Sequence, residues 1–140
     1  MSDAAGPVTL VVEDEALVAI TIEEVLLDAG FRVCGIADRP AEAMALARRH
    51  RPELAVVDVR LAAGGDGIQL AGELVALGPI GILFATGNPS EVFNRARVGQ
   101  GCLSKPFEAA WLIAALRAVH GEGGPPRIPG FRPLPFPKTL

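Results

Sequence analysis

Two cysteines, Cys34 and Cys102, are the only thiols in the 140-residue chain. Neither has a CxxC partner or a nearby histidine, so no disulfide framework or zinc site is legible, and both are expected as reduced core residues. Basic charge is also short. With 13 Lys and Arg against 16 Asp and Glu, the formal net charge is −3, and no basic stripe offers affinity for nucleic acid. Apolar runs stay well below the roughly 18 residues needed to span a membrane. The first residues are small, polar or acidic and lack the basic segment of a secretory leader. These absences predict a cytoplasmic chain that touches neither membrane nor nucleic acid directly.

What is present is hydrophobic punctuation. Half the residues are hydrophobic, which suits one globular domain of ordinary size. Residues 8–12, 31–37, 54–57, 80–85 and 101–104 read as short apolar strands, the near-continuous kind buried on both faces. Between them lie helical stretches. Residues 16–28 carry Leu17, Ile20, Val25 and Leu27 among polar positions and stop at Gly30. Pro40 opens a second helix, Asp66 is placed to cap a third over 67–77, a short fourth starts near Pro89 or Ser90, and 108–119 forms the last. Strands alternating with helices predict an α/β doubly wound parallel sheet with helices on both faces.

In such sheets ligands bind beyond the carboxyl ends of the strands. Here those ends carry Glu13-Asp14-Glu15, Asp58, Thr86 and Ser104-Lys105-Pro106. Carboxylates facing an amine and a hydroxyl suit a hard divalent cation and a phosphoryl group. The acidic triplet taken alone also fits a polar turn complementing a helix dipole, and Lys105 alone fits a solvated lysine. Asp58, directly after Leu-Ala-Val-Val, shifts the balance: a carboxylate there can be a metal ligand or a nucleophile that accepts a phosphoryl group. Thr86 reads as a hydroxyl donor or a β-favouring strand residue. Gly87 reads as a site for close backbone approach or positive φ.

LVVEDE, VVDV, FATG and SKPF, in that order at successive strand ends, resemble the receiver domain of two-component response regulators over roughly residues 8–120. The resemblance implies a flavodoxin-like (βα)5 fold with strand order 2-1-3-4-5. It implies that Asp58 is the phosphoacceptor, supplied by a histidine kinase, a phosphotransfer protein or a small phosphodonor. It implies Mg²⁺ on Asp14, Asp58 and the backbone carbonyl of Arg60, with Glu13 in the outer shell. Thr86 would be the switch hydroxyl, and the Lys105–Pro106 bond would be cis. One position departs from the family: three residues before the lysine, where receivers place Tyr or Phe, stands Cys102. PIGILFATGN is similar to the PFxFATGY-like motif of alphaproteobacterial single-domain receivers that lack the aromatic switch and work with HWE-type kinases.

The expected function is a stand-alone receiver, not an enzyme, that is phosphorylated on Asp58 and signals by partner binding or phosphate relay, as a monomer or weak dimer. The alternative is a degenerate receiver that acts as an interaction module without phosphate. A small aspartyl-phosphate phosphatase fits less well, because Arg60, a base, stands where a second acid is expected. The Thr86 segment 87–94 is expected to move on phosphorylation, with the fourth helix, fifth strand and fifth helix as output face. Residues 1–120 form the expected domain. Residues 121–140, GEGGPPRIPGFRPLPFPKTL, predict an extended, disordered tail with no effector domain. Its alternatives are a docking segment anchored by Phe131 and Phe136, or a strap folded back on the domain.

Overall fold

The computed structural model describes residues 6–138. The amino-terminal residues read for a leader, 1–5, and the last two of the tail lie outside that range. The chain runs β1 (Val8–Val12), α1 (Ala16–Asp28), β2 (Arg32–Ala37), α2 (Pro40–His50), β3 (Leu54–Val57), a single 3-10 turn (Ala62–Gly64) and α3 (Gly67–Leu77). It continues with β4 (Gly81–Thr86), α4 (Pro89–Arg95), β5 (Gly101–Ser104), α5 (Ala109–His120) and β6 (Phe131–Pro133).

The sheet order is β2-β1-β3-β4-β5-β6. The first five strands are parallel, as the alternation of strands and helices requires. Side chains alternate across a strand, so each central strand feeds two cores. Ala55, Val57, Ile82 and Phe84 face one core with residues of α2, α3 and α4. Leu54, Val56, Leu83 and Ala85 face the other with residues of α1 and α5. Complete burial of a residue such as Phe84 contributes roughly 1.5–3 kcal/mol, and all of β3 and β4 is buried. This double burial fixes where β1, β3, β4 and β5 end.

The helix starts follow local chemistry. Asp66 accepts a hydrogen bond from the Ile68 amide at 2.9 Å and caps α3. Pro40 and Pro89 sit in the first turns of α2 and α4, where a missing N–H costs nothing. The phase of α1 differs from the sequence expectation. Its buried residues are Ala19, Ile22 and Leu26, whereas Leu17, Ile20 and Leu27 are exposed. The helix is apolar on nearly every side, so its pattern offers little contrast to fix the inward face. Cys34 is half-buried rather than core, and Cys102 is buried.

The larger difference is the tail. Residues 128–138 lie on the domain instead of extending away. β6 pairs antiparallel with β5, matching Gly101 with Pro133, Cys102 with Arg132 and Leu103 with Phe131. Among the described residues no helix is long and apolar enough to cross a membrane.

Candidate functional site

β1 and β3 are neighbours in register, so their carboxyl ends bring Glu13 and Asp58 together. The Asp58 amide donates to the Val12 carbonyl at 3.0 Å, and the Glu13 amide to the Ala37 carbonyl at 2.9 Å. Both carboxylates are therefore held by continuation of the sheet ladder. Glu13 is 3% exposed and Asp58 8%, so neither is solvated as an ordinary surface acid is. Asp14, next in sequence, is exposed.

Lys105 reaches across from the end of β5. Its Nζ donates to Glu13 Oε1 at 2.6 Å and to Asp58 Oδ2 at 2.7 Å. Its own amide donates to the Thr86 carbonyl at 2.9 Å, which ties the ends of β4 and β5. The Lys105–Pro106 bond is cis. Burial pushes the Lys105 amine down, but the hydrogen bonds to Asp58 and Glu13 outweigh it and hold the amine above its ordinary value. Burial pushes the Glu13 carboxyl up, and the Lys105 hydrogen bond offsets only part of that.

The remaining Asp58 oxygen, Oδ1, accepts from the Val59 amide at 2.6 Å. Thr86 is fully buried, and its Oγ1 accepts from the Asn88 amide at 3.0 Å. The Thr86 side chain is thereby attached to the start of α4. Gly87, next to it, has neither close packing nor a positive φ. Neither reason given for a glycine there applies in this conformation. Arg60, at the rim, has its guanidinium on Glu91 Oε2 at 3.0 Å. Arg95 joins the same Glu91 to Asp66, so an ionic chain links the loop after β3 to α4.

Glu13, Asp14 and Asp58 each present an oxygen, all within 4.8 Å of one another. Three carboxylates against one amine leave the cluster short of positive charge. Their oxygen donors and the partial solvent access through Asp14 suit a small hard cation that keeps several waters.

The structure thus brings Glu13, Asp14, Asp58 and Lys105 into one cluster, with Thr86 at the adjacent strand end. Cys102 stands apart, 1% exposed beside Phe84 in the core under α4. Two residues not singled out in the sequence shape the site. Glu91 holds Arg60. Gly67 packs so closely on the Asp58 backbone that a Cβ there would lie 1.7 Å from the Asp58 carbonyl oxygen, and its amide donates to the Val59 carbonyl at 2.7 Å. The Asp66-Gly67 pair reads as a helix start; nothing in the sequence marks its glycine as a contact of Asp58.

Residues 9–117 match the family model for the response regulator receiver domain. Among curated proteins, the transcriptional regulatory protein PdtaR of Mycobacterium tuberculosis is 36% identical over 120 residues, covering 82% of this chain and 58% of PdtaR. The phyllosphere-induced regulator PhyR of Methylorubrum extorquens is 30% identical over 109 residues, covering 76% of this chain and 41% of PhyR. The chain thus spans little more than half the length of these relatives, or less. Among solved structures, the signal receiver domain of a modulated diguanylate cyclase from Desulfovibrio desulfuricans is 35% identical. It superposes with a TM-score of 0.75 over 84% of this chain and 96% of that one. The anti-anti-sigma factor PhyR from Bartonella quintana, in a doubly substituted form, is 26% identical, with a TM-score of 0.69 over 76% of this chain and 45% of that one.

Proposed function

The chain belongs to the response regulator receiver family, and we propose that it is a phosphorylation-controlled signalling module whose acceptor is Asp58. The observation that carries this reading is the pairing of a buried Asp58 carboxylate with Lys105 at 2.7 Å beside two further acids. A structural aspartate in a turn has no need of that arrangement.

The donor is an N-phosphorylated histidine of a kinase, of HWE type on the motif in β4, or of a phosphotransfer protein. A small acyl phosphate serves in its place. A carboxylate oxygen of Asp58 attacks phosphorus, the new O–P bond forms, and the donor's P–N or P–O bond breaks. The electron pair leaves with the donor, and a histidine donor then takes its proton from solvent. Asp14, Asp58 and the Arg60 carbonyl would hold Mg²⁺, with Glu13 in the outer shell. Bound there, the ion would neutralise phosphoryl oxygens and lessen their repulsion by the carboxylates. Lys105 orients Asp58 before transfer and pairs with a phosphoryl oxygen after it, as a compact point charge.

Transfer adds negative charge and acceptor oxygens at the strand end. The Thr86 hydroxyl is the nearby neutral donor at the end of β4. Because Oγ1 also accepts from the Asn88 amide, a displacement of Thr86 draws the start of α4 with it. That gives the switch a path that needs no aromatic ring at position 102. The kinship with regulators and an anti-anti-sigma factor supports output by partner binding. Cys102 is the one feature that favours the alternative, an interaction module that takes no phosphate.

Beryllofluoride with Mg²⁺, followed by amide NMR, tests the reading. Expected are shifts at residues 58, 86–95 and 104–105 in the wild type and none in Asp58→Asn. An unresponsive wild type would transfer the assignment to the phosphate-independent module.

A further inference from the structure

The loop after β3 and the short helix α4 share a closed ring of charge. Arg60 and Asp66 face each other across an antiparallel bridge within the loop. Arg60 Nη2 donates to Glu91 Oε2 at 3.0 Å, Arg95 Nη1 donates to Glu91 Oε1 at 3.5 Å, and Arg95 also pairs with Asp66. Two bases and two acids therefore balance. Glu91 is shared, with one oxygen serving Arg60 and the other Arg95.

One side of the ring is fixed and the other is held lightly. Asp66 caps α3 through the Ile68 amide, and the Gly67 amide is bonded to the Val59 carbonyl. α4 spans only Pro89–Arg95 and buries one residue, Val92. So short a helix takes its placement from contacts outside itself, and its two ionic ties to the loop are such contacts. A change in the ring therefore reaches α4 more readily than α3.

Arg60 is also placed to meet the acceptor. Val57, Val59 and Leu61 all enter the core lined by α2, α3 and α4, so Asp58 and Arg60 leave the chain on the other side. Their Cα atoms are at most roughly 7 Å apart, within the reach of an extended arginine. A phosphoryl group on Asp58 would bring negative charge and new acceptor oxygens to that side. An exposed Arg–Glu pair is weak, whereas a guanidinium binds phosphoryl oxygens through charge-assisted, bidentate hydrogen bonds.

We propose that Glu91 is a positioning residue that holds Arg60 away from Asp58, and that a phosphoryl group on Asp58 draws Arg60 off Glu91 and opens the ring. The exchange orphans no charge, because Glu91 keeps Arg95. α4 then retains one of its two ionic ties and can follow the displacement of Thr86. This route needs no aromatic ring at position 102. The inference rests on the phosphoacceptor reading of Asp58 and concerns the regulation of that same site.

The test titrates the full chain with beryllofluoride in the presence of Mg²⁺, for the wild type, Glu91→Gln, Arg60→Ala and the double variant. Neither side chain is buried, so the variants keep the fold. Glu91→Gln frees Arg60 and should bind about two- to fivefold tighter than the wild type. Arg60→Ala should bind more weakly, and adding Glu91→Gln to it should change nothing, which separates this role from a merely looser α4. In the wild type the Arg60 Nε–H resonance should shift on binding. In a responsive wild type, an affinity unaltered by Glu91→Gln would overturn this inference alone, as would the same gain with and without Arg60, or an Arg60 resonance that stays in place. A wild type that binds no beryllofluoride would overturn the phosphoacceptor reading together with it.

Discussion

Lys105 Nζ lies 2.7 Å from Asp58 Oδ2, although 47 residues separate them in sequence. The contact joins the ends of two strands that are not neighbours, with β4 between them. It places a cation on the one carboxylate that the sheet ladder, the Val59 amide and the close packing of Gly67 all hold in place. What the site lacks is a second positive charge for Glu13 and Asp14, and the first prediction follows from that imbalance.

In metal-free buffer, Lys105→Gln leaves three clustered carboxylates without their amine and should destabilise the fold by roughly 1–3 kcal/mol. Asp58→Asn removes one of the repelling charges and should be neutral or stabilising. Mg²⁺ should raise the stability of Lys105→Gln more than that of Asp58→Asn, because binding to the folded state alone stabilises it. Urea unfolding with and without chelator measures all four states. Equal losses in the two variants would show that charge balance does not govern the site.

Gly67 and Gly72 lie in the same helix and should respond with opposite signs. A Cβ at 67 would fall 1.7 Å from the Asp58 carbonyl oxygen, whereas one at 72 meets nothing within 4 Å. Gly67→Ala should cost about 1–3 kcal/mol or more and shift the Asp58 amide resonance. Gly72→Ala should stabilise by about 0.5–1 kcal/mol through helix propensity. Similar midpoints for the two variants would contradict the packing described at Asp58.

The Arg60–Glu91 pair is exposed on its arginine side, so its loss should change stability by less than about 1 kcal/mol. Its position at the rim predicts a different effect. Arg60→Ala should alter the lifetime of the phosphorylated protein, followed by intact mass after removal of the phosphodonor. An unchanged lifetime would mean that the guanidinium serves only Glu91.

Cys102 should be chemically silent. Burial pushes its thiol up to about 11, well above the pH at which thiol reagents are used, and the thiolate is the reactive form. Burial also raises the half-buried Cys34, so both should react slowly in the native protein, Cys34 first. Both should react at once in denaturant. A native Cys102 modified as fast as Cys34 would contradict the closed packing under α4.

Much of this site was legible because each strand end is marked by a change from continuous apolar residues to a polar one. Val12 to Glu13, Val57 to Asp58 and Ala85 to Thr86 are such changes, and a parallel sheet converts them into neighbours. The inward face of α1 was not legible, since ALVAITIEEVLLD is apolar in too many directions for periodicity to choose Ile22 over Ile20. The tail is hard to read for a different reason: its composition favours the disordered alternative over the folded-back strap that the structure shows. Its composition is that of a disordered segment, while its order depends on a partner 30 residues back: Phe131 fits because Gly101 has no side chain. Prolines 133, 135 and 137 alternate with Leu134 and Phe136, whose backbone groups bond to Gln100, and composition does not record that phase. Gly67 was missed because closeness to Asp58 is a property of the folded loop and leaves no local signature.

The central claim is that Asp58 accepts a phosphoryl group, and intact mass spectrometry after incubation with acetyl phosphate and Mg²⁺ addresses it most directly. The account predicts a gain of one phosphoryl mass in the wild type, none in Asp58→Asn, and none when Mg²⁺ is chelated. A wild type that gains nothing from acetyl phosphate or from a phosphorylated histidine kinase, or an equal gain in Asp58→Asn, would contradict it.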